Sequence, residues 1–227
     1  RAIVTVSPTN PAGVVYPPEA IAAVNQLCVE HDLYHFCDEA YEYFTYEGAR
    51  HYSAGSATDN HQHTVSMFSF SKSFALASWR IGYMVWPRHL LRAFEKSQDT
   101  LLICPPVVSQ YAAIGALKAG SAYLEDRIET LGQVRRMCLE RMEELGSSCF
   151  VPEANGAFYL LARLDCGLGS MQVVERLITE FKVAVLPGTG FGLEEDCRIR
   201  IAYGALEPHT VAEGTDRLVK GLKSIIQ

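Results

Sequence analysis

Three short apolar runs, each ended by polar residues, constrain this chain most. Ala2–Val6 (AIVTV) is rich in β-branched residues, Leu33–Cys37 runs into Asp38, and Thr64–Phe70 runs into Ser71 and Lys72. Runs of this length and composition read as buried strands. Between the first two, Pro17 and Pro18 open a helical pattern that continues to about His31, with Ile21, Val24, Leu27 and Cys28 at helical spacing. Ile81–Trp86 reads as a fourth strand. Strand, helix and strand in this order imply an α/β fold with a mostly parallel sheet flanked by helices. In open sheets of this kind, ligands bind beyond the carboxyl ends of the strands.

Further along, the pattern is helical from Pro87 to about Ser97 and from Val107 to Ala119. Leu124–Leu145 is a long amphipathic segment whose stripe is Leu124, Ile128, Leu131, Val134, Cys138, Met142 and Leu145. Beyond it, short strands (Ala157–Leu164, Val183–Leu186, Arg198–Tyr203) alternate with helices near Met171–Phe181 and Pro208–Ile226. That mixture suggests a smaller α+β domain. A boundary near residue 128 is expected, giving a larger domain over 1–128 and a smaller one over 129–227.

Composition narrows the partners. The net charge is −6 and no run is rich in Lys or Arg, so neither nucleic acid nor an anionic membrane surface is expected as a partner. No apolar run approaches the roughly 20 residues a membrane span needs. Seven scattered cysteines without a C-x-x-C pair suggest a reducing compartment, the cytoplasm, rather than a disulfide framework. Two histidine pairs, His31/His35 and His61/His63, have metal-like spacing, but the glutamate of H-E-x-x-H is missing, and no metal site is read from them. The chain begins RAIVTVSP, without methionine and with a strand almost at once, which suggests a piece of a longer protein.

The polar residues at the strand ends form a chemical set. The first strand leads to Asn10 in TNPAG, the second to Asp38 and Tyr41 in DEAY, and the third to Ser69, Ser71 and Lys72, with Arg80 shortly after. Any one of these has an ordinary explanation as a turn, a cap or a solvated charge. Together they match the needs of one cofactor. A lysine amine forms a Schiff base with an aldehyde. A carboxylate opposite a pyridine nitrogen keeps it protonated, so the ring can act as an electron sink. A phenol and an amide hydrogen-bond the ring oxygen, while an arginine and hydroxyls bind phosphate. The cofactor with all four groups is pyridoxal 5′-phosphate (PLP).

NPAG, DEAY and S-x-S-K-x7-R-x-G-Y, in this order, resemble the class I/II aminotransferases among the fold type I PLP enzymes, in particular those labelled aspartate aminotransferases. The separations, 28 residues from Asn10 to Asp38 and 34 from Asp38 to Lys72, fit that family. NGAFYLLARL, VAVLPGTGFG and CRIRIAYG resemble its small domain, so the likeness spans essentially the whole chain. The resemblance implies that Lys72 holds PLP and, once freed, moves the substrate proton. It implies that Asp38 pairs with the pyridine nitrogen, that Tyr41 and Asn10 bond the ring oxygen, and that Ser69, Arg80 and, more weakly, Ser71 bind phosphate. Arg200 corresponds to the residue that clamps the substrate carboxylate, with Asn10 beside it. Arg198, two residues away on the same strand face, reads instead as an arginine solvated at a strand edge.

The implied protein is a cytoplasmic homodimer transferring an amino group from an amino acid, aspartate or glutamate among the candidates, to a 2-oxo acid. Related chemistry uses the same residues: C–S lyases, aminocyclopropane-carboxylate synthases, and the non-enzymatic PLP-sensing domains of some transcription regulators. One local departure is Ser78, where many relatives carry glycine before Trp-Arg. A larger one is that the family's phosphate-binding helix N-terminus and the aromatic ring over PLP lie upstream of the NP motif, outside these 227 residues.

Overall fold

The computed structural model describes residues 1–57 and 62–226. They form two compact units, one made of Arg1–Thr9 with Val15–Glu125, the other of Asn10–Val14 with the chain from Asp126 onward.

In the first unit, β1 (Ala2–Val6), β2 (Tyr34–Asp38) and β3 (Thr64–Ser69) run parallel, and β4 (Gly82–Val85) joins β3 antiparallel, in the order β1-β2-β3-β4. Helix α1 (Pro18–Glu30) connects β1 to β2. It buries Ile21, Asn25 and Cys28, while Leu27 is 43% exposed, so the buried stripe carries Asn25 where the sequence pattern put Leu27. A polar network explains the exchange. Asn25 Nδ2 donates to His35 Nδ1 (3.0 Å) and to Thr64 Oγ1 (2.8 Å), and Asn25 Oδ1 accepts from His63 Nε2 (3.0 Å). With Nδ1 accepting, the His35 proton sits on Nε2, which donates to Thr5 Oγ1 at 2.8 Å. Buried polar groups cost little once each is paired, and these pairs bind α1 to β2 and β3, while His35 carries the network on to Thr5 of β1. His35, engaged at both nitrogens, is thus a structural residue. The other histidine pair with metal-like spacing includes His61, which lies outside the described residues.

After β3 come the short helix α2 (Phe70–Ser73), α3 (Leu91–Leu101) and α4 (Val107–Ala119). Helix α5 (Glu125–Glu143) leads into the second unit, where Leu131, Val134, Cys138, Met142 and, just past the helix, Leu145 are buried. Its Arg135 is buried too, with Nε donating to the Ala154 carbonyl (2.5 Å) and Nη2 to Asn155 Oδ1 (2.6 Å).

The second sheet is antiparallel throughout, in the order β5-β6-β8-β7, with β5 at Cys149–Phe150, β6 at Tyr159–Leu164, β7 at Leu186–Pro187 and β8 at Cys197–Ala202. Helices α6 (Ser170–Phe181) and α7 (Pro208–Ile226) pack with it over a core that includes Val173, Leu177, Leu160, Ile199 and Leu222. Val183–Val185, expected to be strand, is not. Lys182 ends α6 in the left-handed region (φ 58°), and the chain pairs with β8 only from Leu186. Two-residue β5 is too short to show any period in the sequence.

Candidate active site

The first group of candidate residues lies at the carboxyl edge of the first sheet. Val6 pairs with Asp38 and Asp38 with Met67, so β2 ends level with the last turn of backbone before Ser69. The backbone there is closed by Ser7 N–H donating to the Asp38 carbonyl (3.1 Å) and Glu39 N–H to that of Met67 (2.9 Å). Asp38 Oδ1 accepts from Ala40 N–H at 3.1 Å. This local turn orients the carboxylate and leaves Oδ2 without a partner among the described residues. Tyr41 follows and is buried.

Ser69 caps α2, its Oγ accepting from Ser71 N–H at 3.2 Å. Its hydroxyl proton remains available to donate. Lys72 lies on α2, half-buried, and its ammonium has no hydrogen bond or ion pair among the described residues. The chain then returns to the same edge. Phe70 N–H donates to the Ile81 carbonyl (3.4 Å), and Ser69 pairs with Gly82. A side chain at Gly82 would meet the Phe68 carbonyl 2.5 Å away, so only glycine permits that approach. Arg80 sits between in the left-handed region (φ 52°), exposed, with Nη1 on the Ala77 carbonyl at 2.9 Å and the rest of its fork open. Ser78 lies in a short 3₁₀ turn, Ala77–Trp79, and is not among the positive-φ residues, so a serine there meets no backbone penalty.

Beside this edge is a cluster whose pairing has no motif. Glu39 is buried and accepts from His51 Nε2 (2.6 Å) and Ser53 Oγ (2.8 Å). Three residues on, burial, with the Glu39 charge adding to it and His51 opposing, pushes the Glu42 carboxyl up to about 7. Tyr83 rises to about 12, through burial first and the Glu42 charge second. A carboxyl raised in the folded state contributes stability that is complete below its unfolded value of 4.5 and lost as pH climbs through about 7. His35 works in the opposite sense: burial, then His63, lower it from 6.5, so its contribution is lost as pH falls below that value. Glu42→Gln should therefore flatten the loss of thermal midpoint between about pH 4.5 and 7, while leaving in place the His35 contribution, which has the opposite sign. Melting curves of both proteins across this range check it; parallel curves would mean that Glu42 does not titrate there.

The second group lies in the other unit. Along β8, Cys197, Ile199 and Ile201 are buried, which turns Arg198 and Arg200 to the opposite face. They differ in what they hold. Arg198 is committed to Asp196 through Nε–Oδ1 (2.5 Å) and Nη2–Oδ2 (2.8 Å), and the Asp196 hydrogen bond raises the guanidinium pKa and lowers that of the carboxyl. Arg200 donates from Nη1 to Asn10 Oδ1 at 2.7 Å. Its Nε is buried without a partner, and Nη2 makes no hydrogen bond among the described residues. Nε–H and Nη2–H form one side of the guanidinium fork, the edge a carboxylate takes in bidentate pairing. The Arg200 guanidinium also lies over the Tyr159 ring (4.5 Å) and the Phe191 ring (4.8 Å). Asn10 is carried by the NPAG segment, whose Gly13 (φ 70°) accepts from Gly156 N–H at 2.7 Å and lies too close to the Tyr159 carbonyl to carry a Cβ.

Comparison with known proteins gives these features a family. The profile of "Aminotransferase class I and II" matches residues 1–218, and the chain belongs to that family. It is 34% identical over 226 residues to aromatic-amino-acid aminotransferase 2 of Thermococcus litoralis, covering 98% of this chain and 57% of that protein. Aspartate aminotransferase of Pyrococcus abyssi matches with the same identity and coverage. Among solved structures, the aromatic aminotransferase of Pyrococcus horikoshii superposes with a TM-score of 0.92 at 33% identity, over 99% of this chain and 60% of that one. Aspartate aminotransferase from Thermus thermophilus with maleate gives 0.88 at 32% identity, over 97% and 56%. The chain thus spans a little over half the length of the curated relatives it matches, and its fold is that of the fold type I aminotransferases. Among the described residues, no helix is long and apolar enough to cross a membrane.

Proposed function

We propose that the protein containing this chain is a PLP-dependent aminotransferase that moves an amino group from an amino acid to a 2-oxo acid. The observation that carries this is the unpartnered Lys72 amine at the same sheet edge as Asp38, Ser69 and Arg80. Those four supply an amine, a carboxylate with one free oxygen, a donor hydroxyl and an open guanidinium, which is the donor set PLP needs. Bound PLP supplies an electron sink for negative charge developing at the substrate α-carbon. Lys72 holds the cofactor and carries the proton leaving that carbon. Asp38 holds a proton on the pyridine nitrogen, Tyr41 and Asn10 hydrogen-bond the ring oxygen, and Ser69, Ser71 and Arg80 hold phosphate. Arg200, with Asn10, takes the substrate carboxylate on its Nε/Nη2 edge.

A division into a larger domain over 1–128 and a smaller one over 129–227, and a cytoplasmic homodimer, belong to the same proposal. The seven cysteines are free, which suits a reducing compartment. The lyase, synthase and PLP-sensor alternatives are not favoured, since the similar curated proteins named above are aminotransferases. Aspartate and glutamate are proposed as donors, with aromatic amino acids the class suggested by the Thermococcus protein's name. The test is to supply the PLP-loaded full-length protein with each donor and 2-oxoglutarate or oxaloacetate. New amino acid matching the oxo acid is expected. Ammonia, pyruvate and a released thiol from cystathionine, with no amino acid formed from the oxo acid, would mean lyase chemistry.

Arg200→Lys keeps the charge and loses the fork. It should lower kcat/KM roughly a hundredfold for every amino acid, the scale of a charge-assisted hydrogen-bond pair. Arg198→Lys should stay within about threefold, because Arg198 serves a half-exposed ion pair with Asp196. Steady-state kinetics of both variants decide; the reverse pattern would assign the carboxylate to Arg198.

A further inference from the structure

Arg200 does not stand freely on its strand. β8 lies between β6 and β7 in the sheet. On the β6 side, Leu161 pairs with Arg200, so Tyr159, two residues back, is the diagonal neighbour on the same face. On the other side, Leu186 of β7 pairs with Arg200, and the chain then turns through Gly188–Phe191 to bring Phe191 back over it. That turn is packed tightly on β8: a Cβ at Gly188 would lie 2.9 Å from the Arg198 Cβ. One ring therefore reaches the guanidinium from each side of β8, Tyr159 from β6 and Phe191 from the turn after β7, at 4.5 and 4.8 Å, while Asn10 takes Nη1 at 2.7 Å.

We propose that Tyr159 and Phe191 are positioning residues, which fix the plane of the Arg200 guanidinium so that its Nε/Nη2 edge is presented to the substrate carboxylate. The inference rests on the aminotransferase reading above. A guanidinium stacked on aromatic faces loses little freedom when it pairs, because its orientation is already set. An arginine side chain otherwise carries several rotatable bonds whose ordering opposes binding. The rings also displace water from the faces of the cation, leaving hydrogen-bonding capacity only at its edges. The buried, unpartnered Nε is the mark of that arrangement.

The experiment compares Phe191→Leu, Phe191→Tyr and Tyr159→Phe in the PLP-loaded full-length protein, using half-reactions with aspartate and phenylalanine. Phe191 is the safer site for the disruptive change, being only partly buried, and melting curves report folding separately. Phe191→Leu should raise KM about tenfold, the scale of a desolvated cation–π contact. It should do so for both substrates, with kcat within about threefold, and the two aromatic replacements should keep KM within about threefold. An effect confined to one substrate would place Phe191 on the side-chain pocket and overturn the proposal. So would a fall in kcat matching the rise in KM, or a Phe191→Tyr protein as impaired as Phe191→Leu. If the wild-type protein turned over no amino acid at all, the aminotransferase reading itself would fail.

Discussion

Replacing Lys72 with alanine should lower the transamination rate on the order of 10⁴-fold, about 5 kcal/mol of barrier. Two roles are lost together. The amine that would hold the cofactor is gone, and so is the group that accepts and returns the α-proton. The location of Lys72 argues for both. It follows directly on the β3 carboxyl end, on a four-residue helix capped by Ser69, and its ammonium has no partner among the described residues. A lysine with no ion pair to break has no structural task to lose, so Lys72→Ala should fold as well as the wild type. Melting curves and single-turnover rates together check this. A folded Lys72→Ala protein with more than about a tenth of wild-type rate would remove Lys72 from the chemistry.

The second large effect is expected at Asp38. Asp38→Asn preserves shape and the turn to Ala40 N–H but removes the negative charge. Each pKa unit by which the carboxylate supports a protonated ring nitrogen is about 1.4 kcal/mol. The charge matters most as negative charge develops at the substrate α-carbon, and less in the resting complex. A loss felt only in the transition state lowers kcat and leaves KM nearly unchanged. A fall in kcat of about a hundredfold, roughly 2.7 kcal/mol, is expected with KM within about threefold. A kcat within about threefold of wild type, roughly 0.65 kcal/mol, would mean that Asp38 is not the pyridine partner.

Much of the fold is visible in local pattern. β1, α4 and α7 begin and end where their composition changes, and the long stripe ending at Leu145 is buried along most of its length. These segments are governed by periodicity and by their own breakers. What pattern could not supply is partnership at long range. Asn25 displaces Leu27 from the buried stripe only because His35, His63 and Thr64 come from elsewhere in the chain to meet it. Arg135 is buried because the loop at Ala154 and Asn155 accepts its protons. Parallel pairing of β1 with β2 follows from the α1 crossover, whereas β4 turns back on β3 after the short helix and 3₁₀ turn between Phe70 and Ile81, a reversal that its apolar composition does not encode.

The candidate site divides along the same line. Residue types and order, from Asn10 to Arg80, are plain in the sequence because each falls at a strand end. In the sequence, Arg198 and Arg200 differ only by what the resemblance implies; in the structure they differ in their partners, with Asp196 on one fork and Asn10 and two rings around the other. The coupling of Glu39 to His51 and Glu42 has no motif, since it depends on a loop folding back on the DEAY turn.

The most direct measurement is chemical. The full-length protein is loaded with PLP, reduced with borohydride, digested and mapped by peptide mass spectrometry. Covalently fixed cofactor is expected on the peptide containing Lys72 and on no other lysine of the chain. Label on a different lysine, or a protein that takes up no cofactor at all, would contradict the proposal that this sheet edge is a PLP site.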